Sequence, residues 1–325
     1  MSLPRSLPIA VLVSVVLASV AHAQTPPAFP LKPVRLVVPF PAGGPTDAAA
    51  RLLQPRLIES LGQPVIIDNR SGASTIIGTE AVAKSPADGH VWLMTTSSIA
   101  INPAVHTKLP YDTVRDLAPV TLVLSNPFLL VTHPALPVKS AAELIRLAKS
   151  KPGQLMYPSS GVGSSNHLAG VQFSMMAGID TLHIPYKGSA PAIADLIAGQ
   201  VQFQFANPLS SVPLAKIGKL RILGAGSGKR LPMLPDVPTL SESGTPGLQL
   251  NVWFGLFTTA GTPRETINRI RAEMQKALNV PEVRERLAAD GGELGGMPPE
   301  EFTNFFRNEM NVLGKVARAA GLKPE

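Results

Sequence analysis

Strand-length apolar runs alternate with helical patterns along almost the whole chain. That alternation restricts the fold to the α/β class with largely parallel sheets. Candidate strands fall at 34–39, 65–69, 90–95, 119–124, 128–132, 155–158, 181–185, 201–206, 220–225 and 252–258. Helix punctuation lies between them. Ser140-Ala141-Ala142-Glu143 is a capping box opening a helix to about residue 150, with Pro152 and Gly153 beyond. Thr262-Pro263-Arg264-Glu265 combines a cap, a first-turn proline and a reciprocal acid, and 298–320 gives a long helix closed by Gly321. Interruptions after strands, at Ser125-Asn126-Pro127 and Gly224-Ala225-Gly226-Ser227, are read as two crossings between lobes. They divide the chain into 24–125, an inserted lobe 126–224, and a return 225–325. Ordinary surface loops would leave the same local signature.

Two strand-to-helix junctions are built alike. The first carries Phe40, Ala42, Gly43, Gly44, Thr46 and Asp47; the second carries Ser159, Gly161, Gly163, Ser164 and Asn166. Glycines there let the backbone aim N–H groups at a ligand where the helix N-terminus favours negative charge. Hydroxyls of Ser159, Ser160, Ser164 and Ser165 add donors for carboxylate oxygens. A plain turn is the competing reading of the first loop. Gly161-Val162-Gly163 is half of a dinucleotide fingerprint, but Asn166 stands where its third glycine belongs. The 220–230 stretch imitates a phosphate-binding loop, yet Leu223 and Arg230 occupy the positions needing glycine and hydroxyl.

The first residues read as an export signal: one charge at Arg5, an uncharged apolar run over 9–20, and Ala21-His22-Ala23 before Gln24. Cleavage after Ala23 and a periplasmic location are expected. The 325 residues include no cysteine, which excludes disulfides, thiol nucleophiles and thiolate metal sites. Net charge is +7, but aromatic residues are only 5% and no basic run occurs. A mild field attracting anionic solutes fits better than nucleic-acid binding. No G-x-S-x-G or H-E-x-x-H motif appears, and the scattered histidines lack metal-ligand spacing. Trp253-Phe254 is read as core in preference to a stacking platform, and no catalytic residue, metal or cofactor is expected. Two other classes stay open. A hydrolase would use Ser159 or Ser164 with His167, and an adhesive protein would have no pocket between lobes.

A series of motifs resembles the extracytoplasmic solute receptors of the tripartite tricarboxylate transporters, the Bug-type receptors. It runs through Pro39-Phe40-Pro41-Ala42-Gly43-Gly44-Pro45-Thr46-Asp47, Asp68-Asn69-Arg70, Leu109-Pro110-Tyr111-Asp112, His183-Ile184-Pro185-Tyr186-Lys187-Gly188, Pro235-Asp236-Val237-Pro238-Thr239 and Trp253-Phe254-Gly255-Leu256. The resemblance implies a two-lobe, type II-like periplasmic binding protein, each lobe a mixed, mostly parallel sheet flanked by helices. It also implies a monomer that closes on a small mono- or dicarboxylate and serves a membrane transporter. The junction residues above would hold one carboxylate; Ser97 and Asn207, with their neighbours Thr96, Ser98 and Phe205, would read the rest. Departures are Gly72-Ala73-Ser74-Thr75 in the usual glycine-rich stretch, His90, and Ala206 where some relatives carry an acid. This last argues against an amino-acid ligand.

Overall fold

The computed structural model describes residues 29–288 and 291–322, so the expected leader lies outside the described residues. In chain order the strands are β1 (Val34–Val38), β2 (Val65–Asn69), β3 (Val91–Thr96), β4 (Leu117–Pro127), β5 (Leu129–Thr132), β6 (Met156–Ser159), β7 (Leu182–Pro185), β8 (Phe203–Ala206), β9 (Arg221–Ala225), β10 (Asn251–Thr259) and β11 (Glu293–Leu294). The helices are α1 (Pro45–Leu61), α2 (Ile76–Ala83), α3 (Ser98–Val105), α4 (Ala141–Ser150), α5 (Ser165–Ala177), α6 (Ser189–Ile197), α7 (Pro208–Lys216), α8 (Arg264–Asn279), α9 (Pro281–Ala288) and α10 (Pro299–Ala319).

The first lobe is a six-stranded sheet in the order β11-β4-β10-β3-β1-β2. Successive side chains of a strand point to opposite faces, and here both faces are buried. Leu36 and Val38 join Leu53 and Leu57 of α1 and Ile270 and Met274 of α8 in one layer. Val37 joins Leu93, Phe257 and Phe302 of α10 in the other. Helices on both sides explain why the inner strands read as near-continuous apolar runs. Trp253, expected in the core, packs edge-on against Phe302 and Phe306.

The second lobe holds the antiparallel sheet β8-β5-β9 and the parallel pair β6-β7. Gln202 joins them: its N–H donates to Met156 O at 3.0 Å and its Oε1 accepts from Met156 N at 2.8 Å. Among the described residues, parallel ladders are thus confined to β1–β2, β1–β3 and β6–β7. The remaining ladders are antiparallel, because β4 carries the chain out of the large sheet and β10 brings it back beside β4. The capping box at Ser140 forms, with Glu143 Oε2 accepting from Lys139 N. The one at Thr262 does not, since that hydroxyl donates to Thr259 O and α8 starts at Arg264.

Between the lobes, three backbone segments lie side by side. Phe128 N donates to Leu250 O, Leu250 N to Gly226 O, and Gly226 N to Phe128 O, all within 2.7–2.8 Å. A Cβ at Gly226 would sit 2.6 Å from Leu250 O, so only glycine allows this approach. After β9 the chain does not leave at once. Ala225 pairs with Thr239, Leu240 N donates to Ala225 O, and the large sheet is re-entered only at Asn251.

Candidate functional site

Five helix N-termini converge on one cavity. From the first lobe come Gly44, Pro45 and Thr46 at the start of α1 and Ser98 at the start of α3. From the second come Ser164, Ser165 and Asn166 of α5, Ser189 of α6 and Asn207 of α7. Phe40, Phe128, Phe205, Val252 and Phe254 form the apolar walls. No Lys, Arg, Asp or Glu lines it among the described residues. The positive potential available to an anion is therefore that of helix ends and oriented N–H groups, strengthened by exclusion of water.

Each wall is braced. Ser160 N donates to Asn166 Oδ1 at 3.1 Å and Ser160 Oγ meets Ser189 Oγ at 2.7 Å, tying the α5 and α6 starts together. Across the lobes, Ser165 Oγ lies 2.8 Å from Ser97 Oγ and 3.1 Å from Ser98 Oγ, and Ser165 N donates to Ser98 Oγ. Ser74 Oγ also donates across the seam to Val162 O. It sits in a left-handed run, Ala73-Ser74-Thr75 at φ 43°, 49° and 82°, which costs on the order of 1–3 kcal/mol per residue.

These braces set the polar ends of a neutral, two-lobed trap. A model of the family described as the tripartite tricarboxylate transporter family receptor matches residues 49–322. The chain belongs to this receptor family. BugT of Bordetella pertussis is 36% identical over 94% of this chain and 94% of its own length. An R. palustris protein solved with adipate is 37% identical with TM-score 0.89, covering 92% of this receptor and 100% of that chain. MatC from Rhodopseudomonas palustris, solved with malate, is 31% identical with TM-score 0.84, covering 89% and 99%.

Of the residues singled out from the receptor's sequence, Phe40, Gly44, Thr46, Ser164, Asn166 and Asn207 line the cavity. Ala42 and Gly43 are exposed on the outer side of the first loop. Ser97 lies behind Ser165, with which it bonds. Gly161 and Gly163 serve close approach: added Cβ atoms would meet Ser74 Oγ at 2.7 Å and Val105 Cγ2 at 2.4 Å. The sequence left Phe128, Ser189 and Val252 unassigned, while Phe254, expected in the core, both belongs to it and lines the cavity. The small residue after Gly188 was the available signal for Ser189.

Asp47 is not a lining residue. Its carboxylate accepts from Gly43 N at 2.9 Å, Arg51 Nε at 2.9 Å and Asn69 Nδ2 at 3.0 Å. Burial alone would push this carboxyl up, but Arg51, the Gly43 N–H and Asn69 outweigh it and hold it below its ordinary range. Asp47 thus fixes the turn that presents Gly44–Thr46, and Arg51 neutralises a charge that would otherwise repel an anion. Asp47→Ala should lower stability by about 1–3 kcal/mol, the loss of several hydrogen bonds to a charged group, and weaken ligand binding as well. Urea unfolding and calorimetric titration check this; unchanged values in both would remove Asp47 from that role.

Under the second loop, Ser159 Oγ lies 2.6 Å from His183 Nε2, and Gly163 N donates to His167 Nδ1 at 3.1 Å. The two imidazoles stack with centroids 3.7 Å apart, and Tyr157 packs on both. Ser159 is fully buried and outside the cavity. His167 accepts a backbone N–H through Nδ1, so its neutral form carries the proton on Nε2. The pair, His167 buried and His183 partly exposed, supports the loop from beneath.

Proposed function

We propose that this receptor captures a small mono- or dicarboxylate between its lobes in the periplasm, as a monomer without catalytic activity, and delivers it to a membrane transporter of the tripartite tricarboxylate type. The observation that carries this reading is the convergence of the α1, α3, α5, α6 and α7 N-termini on a cavity with no charged lining residue. Such a site suits one anion held by backbone amides and hydroxyls. Adipate and malate in the two solved relatives support the carboxylate class. Thr46 of the first lobe and Ser164 and Asn166 of the second act as the two jaws, with Ser98 and Asn207 reading the remainder. Hinge motion is assigned to the Phe128, Gly226 and Leu250 backbone, with 227–250 moving with β9.

The non-catalytic reading draws support from Ser159. A nucleophile must reach its substrate, whereas Ser159 Oγ is buried, is bonded to Gly161, and faces a histidine with no carboxylate among its described hydrogen bonds. Protein unfolded in guanidinium, dialysed free of ligand and refolded should bind at least one member of a broad carboxylate panel with micromolar or tighter affinity by isothermal titration. Silence across the whole panel would overturn the assignment. Light scattering should report a monomer with and without ligand.

A further inference from the structure

We propose that the solute is an aromatic carboxylate whose ring lies among Phe40, Phe128, Phe205 and Phe254, and that Asn207 Nδ2 donates to an acceptor on the far side of the ring. This rests on the carboxylate reading above and goes further by naming the ligand's body and its second contact. The four phenylalanines come from separate parts of the chain: the loop after β1, the crossing between lobes, β8 and β10. Phe128, Phe205 and Phe254 are at most 4% exposed. Phe205 is held in place by edge-to-face contacts with Phe173 and Phe203. Preset rings on several sides reward a flat aromatic guest through stacked and edge contacts that a flexible alkyl chain does not reproduce.

Asn207 supplies an independent observation. Its Oδ1 accepts from Leu209 N at 2.9 Å as the cap of α7, which fixes the orientation of the amide. The Nδ2 at the other end is buried, has no protein partner, and belongs to a lining residue only 6% exposed. A buried donor left unpaired is costly, and an acceptor on the ligand satisfies it. With no cation in the lining, that acceptor is best met by a neutral oxygen such as a hydroxyl para to the carboxylate.

Stripped, refolded protein is titrated with 4-hydroxybenzoate, benzoate, cyclohexanecarboxylate and adipate. The expected order places 4-hydroxybenzoate at least ten-fold tighter than benzoate, and benzoate at least ten-fold tighter than cyclohexanecarboxylate and adipate. Asn207→Ser keeps a capping oxygen for α7 but removes Nδ2, and should shrink the preference for 4-hydroxybenzoate over benzoate to within about two-fold. Equal or tighter binding of cyclohexanecarboxylate or adipate overturns the aromatic assignment while leaving the carboxylate reading intact. A preference for 4-hydroxybenzoate that survives Asn207→Ser removes Asn207. Failure of every carboxylate, here and in the broad panel, overturns both readings together.

Discussion

Gly188→Ala and Gly163→Ala are each expected to weaken ligand binding by roughly 10- to 100-fold, and the double variant by more. Both glycines stand where the second lobe meets the first. A Cβ at Gly188 would lie 2.4 Å from Pro41 Cδ, and one at Gly163 would lie 2.4 Å from Val105 Cγ2. Overpacking of this kind costs about 1–3 kcal/mol, and because the contact exists only when the lobes meet, that cost falls on closure. The proline ring cannot rotate away, so Gly188→Ala should have the larger effect. Positive φ, +123° at Gly188 and +77° at Gly163, adds strain in open and closed forms alike and cancels from affinity. Gly199, at φ +74° with nothing within 4 Å of an added Cβ, separates the two terms. Gly199→Ala should lower the melting temperature without changing Kd. Calorimetric titration of the three variants decides the matter, and an affinity loss in Gly199→Ala equal to that in Gly163→Ala would refute the seam argument.

Acidification is expected to destabilise the receptor well before its carboxylates protonate. In an unfolded chain both imidazoles under the second loop take up protons near pH 6.5. In the fold, burial pulls His167 down to about 4, and burial with the adjacent His167 pulls His183 down to about 3. Every group packed on the pair is neutral: Tyr157, the Ser159 hydroxyl and the Gly163 amide. Both folded-state pKa values lie below the unfolded value, so the stabilisation is complete above pH 6.5. It is lost progressively as pH falls towards 4 and 3, where the unfolded state binds more protons. The pair accounts for a loss on the order of several kcal/mol, with the partly exposed His183 contributing less after screening. Protonating His167 at Nδ1 also breaks its bond to Gly163 N, which loosens the α5 jaw. Urea midpoints measured from pH 7.5 to 4 should fall steeply in the parent and more shallowly in His183→Gln; parallel curves would dismiss the histidine pair as the cause.

Much of this architecture was legible because it depends on near neighbours in sequence. The runs behind β1, β3 and β10 are near-continuously apolar and are buried almost throughout, and the loops before α1 and α5 carry the glycines and hydroxyls that a helix start facing a ligand requires. Other features were hidden for a physical reason. Trp253 and Phe254 are adjacent, so a strand must send them to opposite faces. Nothing local says which face carries the cavity, and Phe254 was read as core. Gly43 and Gly163 looked equivalent by local sequence, yet Gly43 only turns the chain while Gly163 allows the lobes to meet. Asp47 reads as a ligand residue beside Thr46 until Arg51 and Asn69 are seen to occupy it.

The sequence by itself determined the α/β class, the family through its ordered motifs, and the two junctions that open α1 and α5, because each junction is a local strand–loop–helix event. Tertiary structure alone decided that five helix starts share one cavity, that its lining holds no charge among the described residues, and that the return to the large sheet comes at Asn251. Those outcomes depend on contacts between segments more than a hundred residues apart, such as Phe128 with Leu250 and Thr96 with Phe254. The register of such pairs follows from packing the whole molecule.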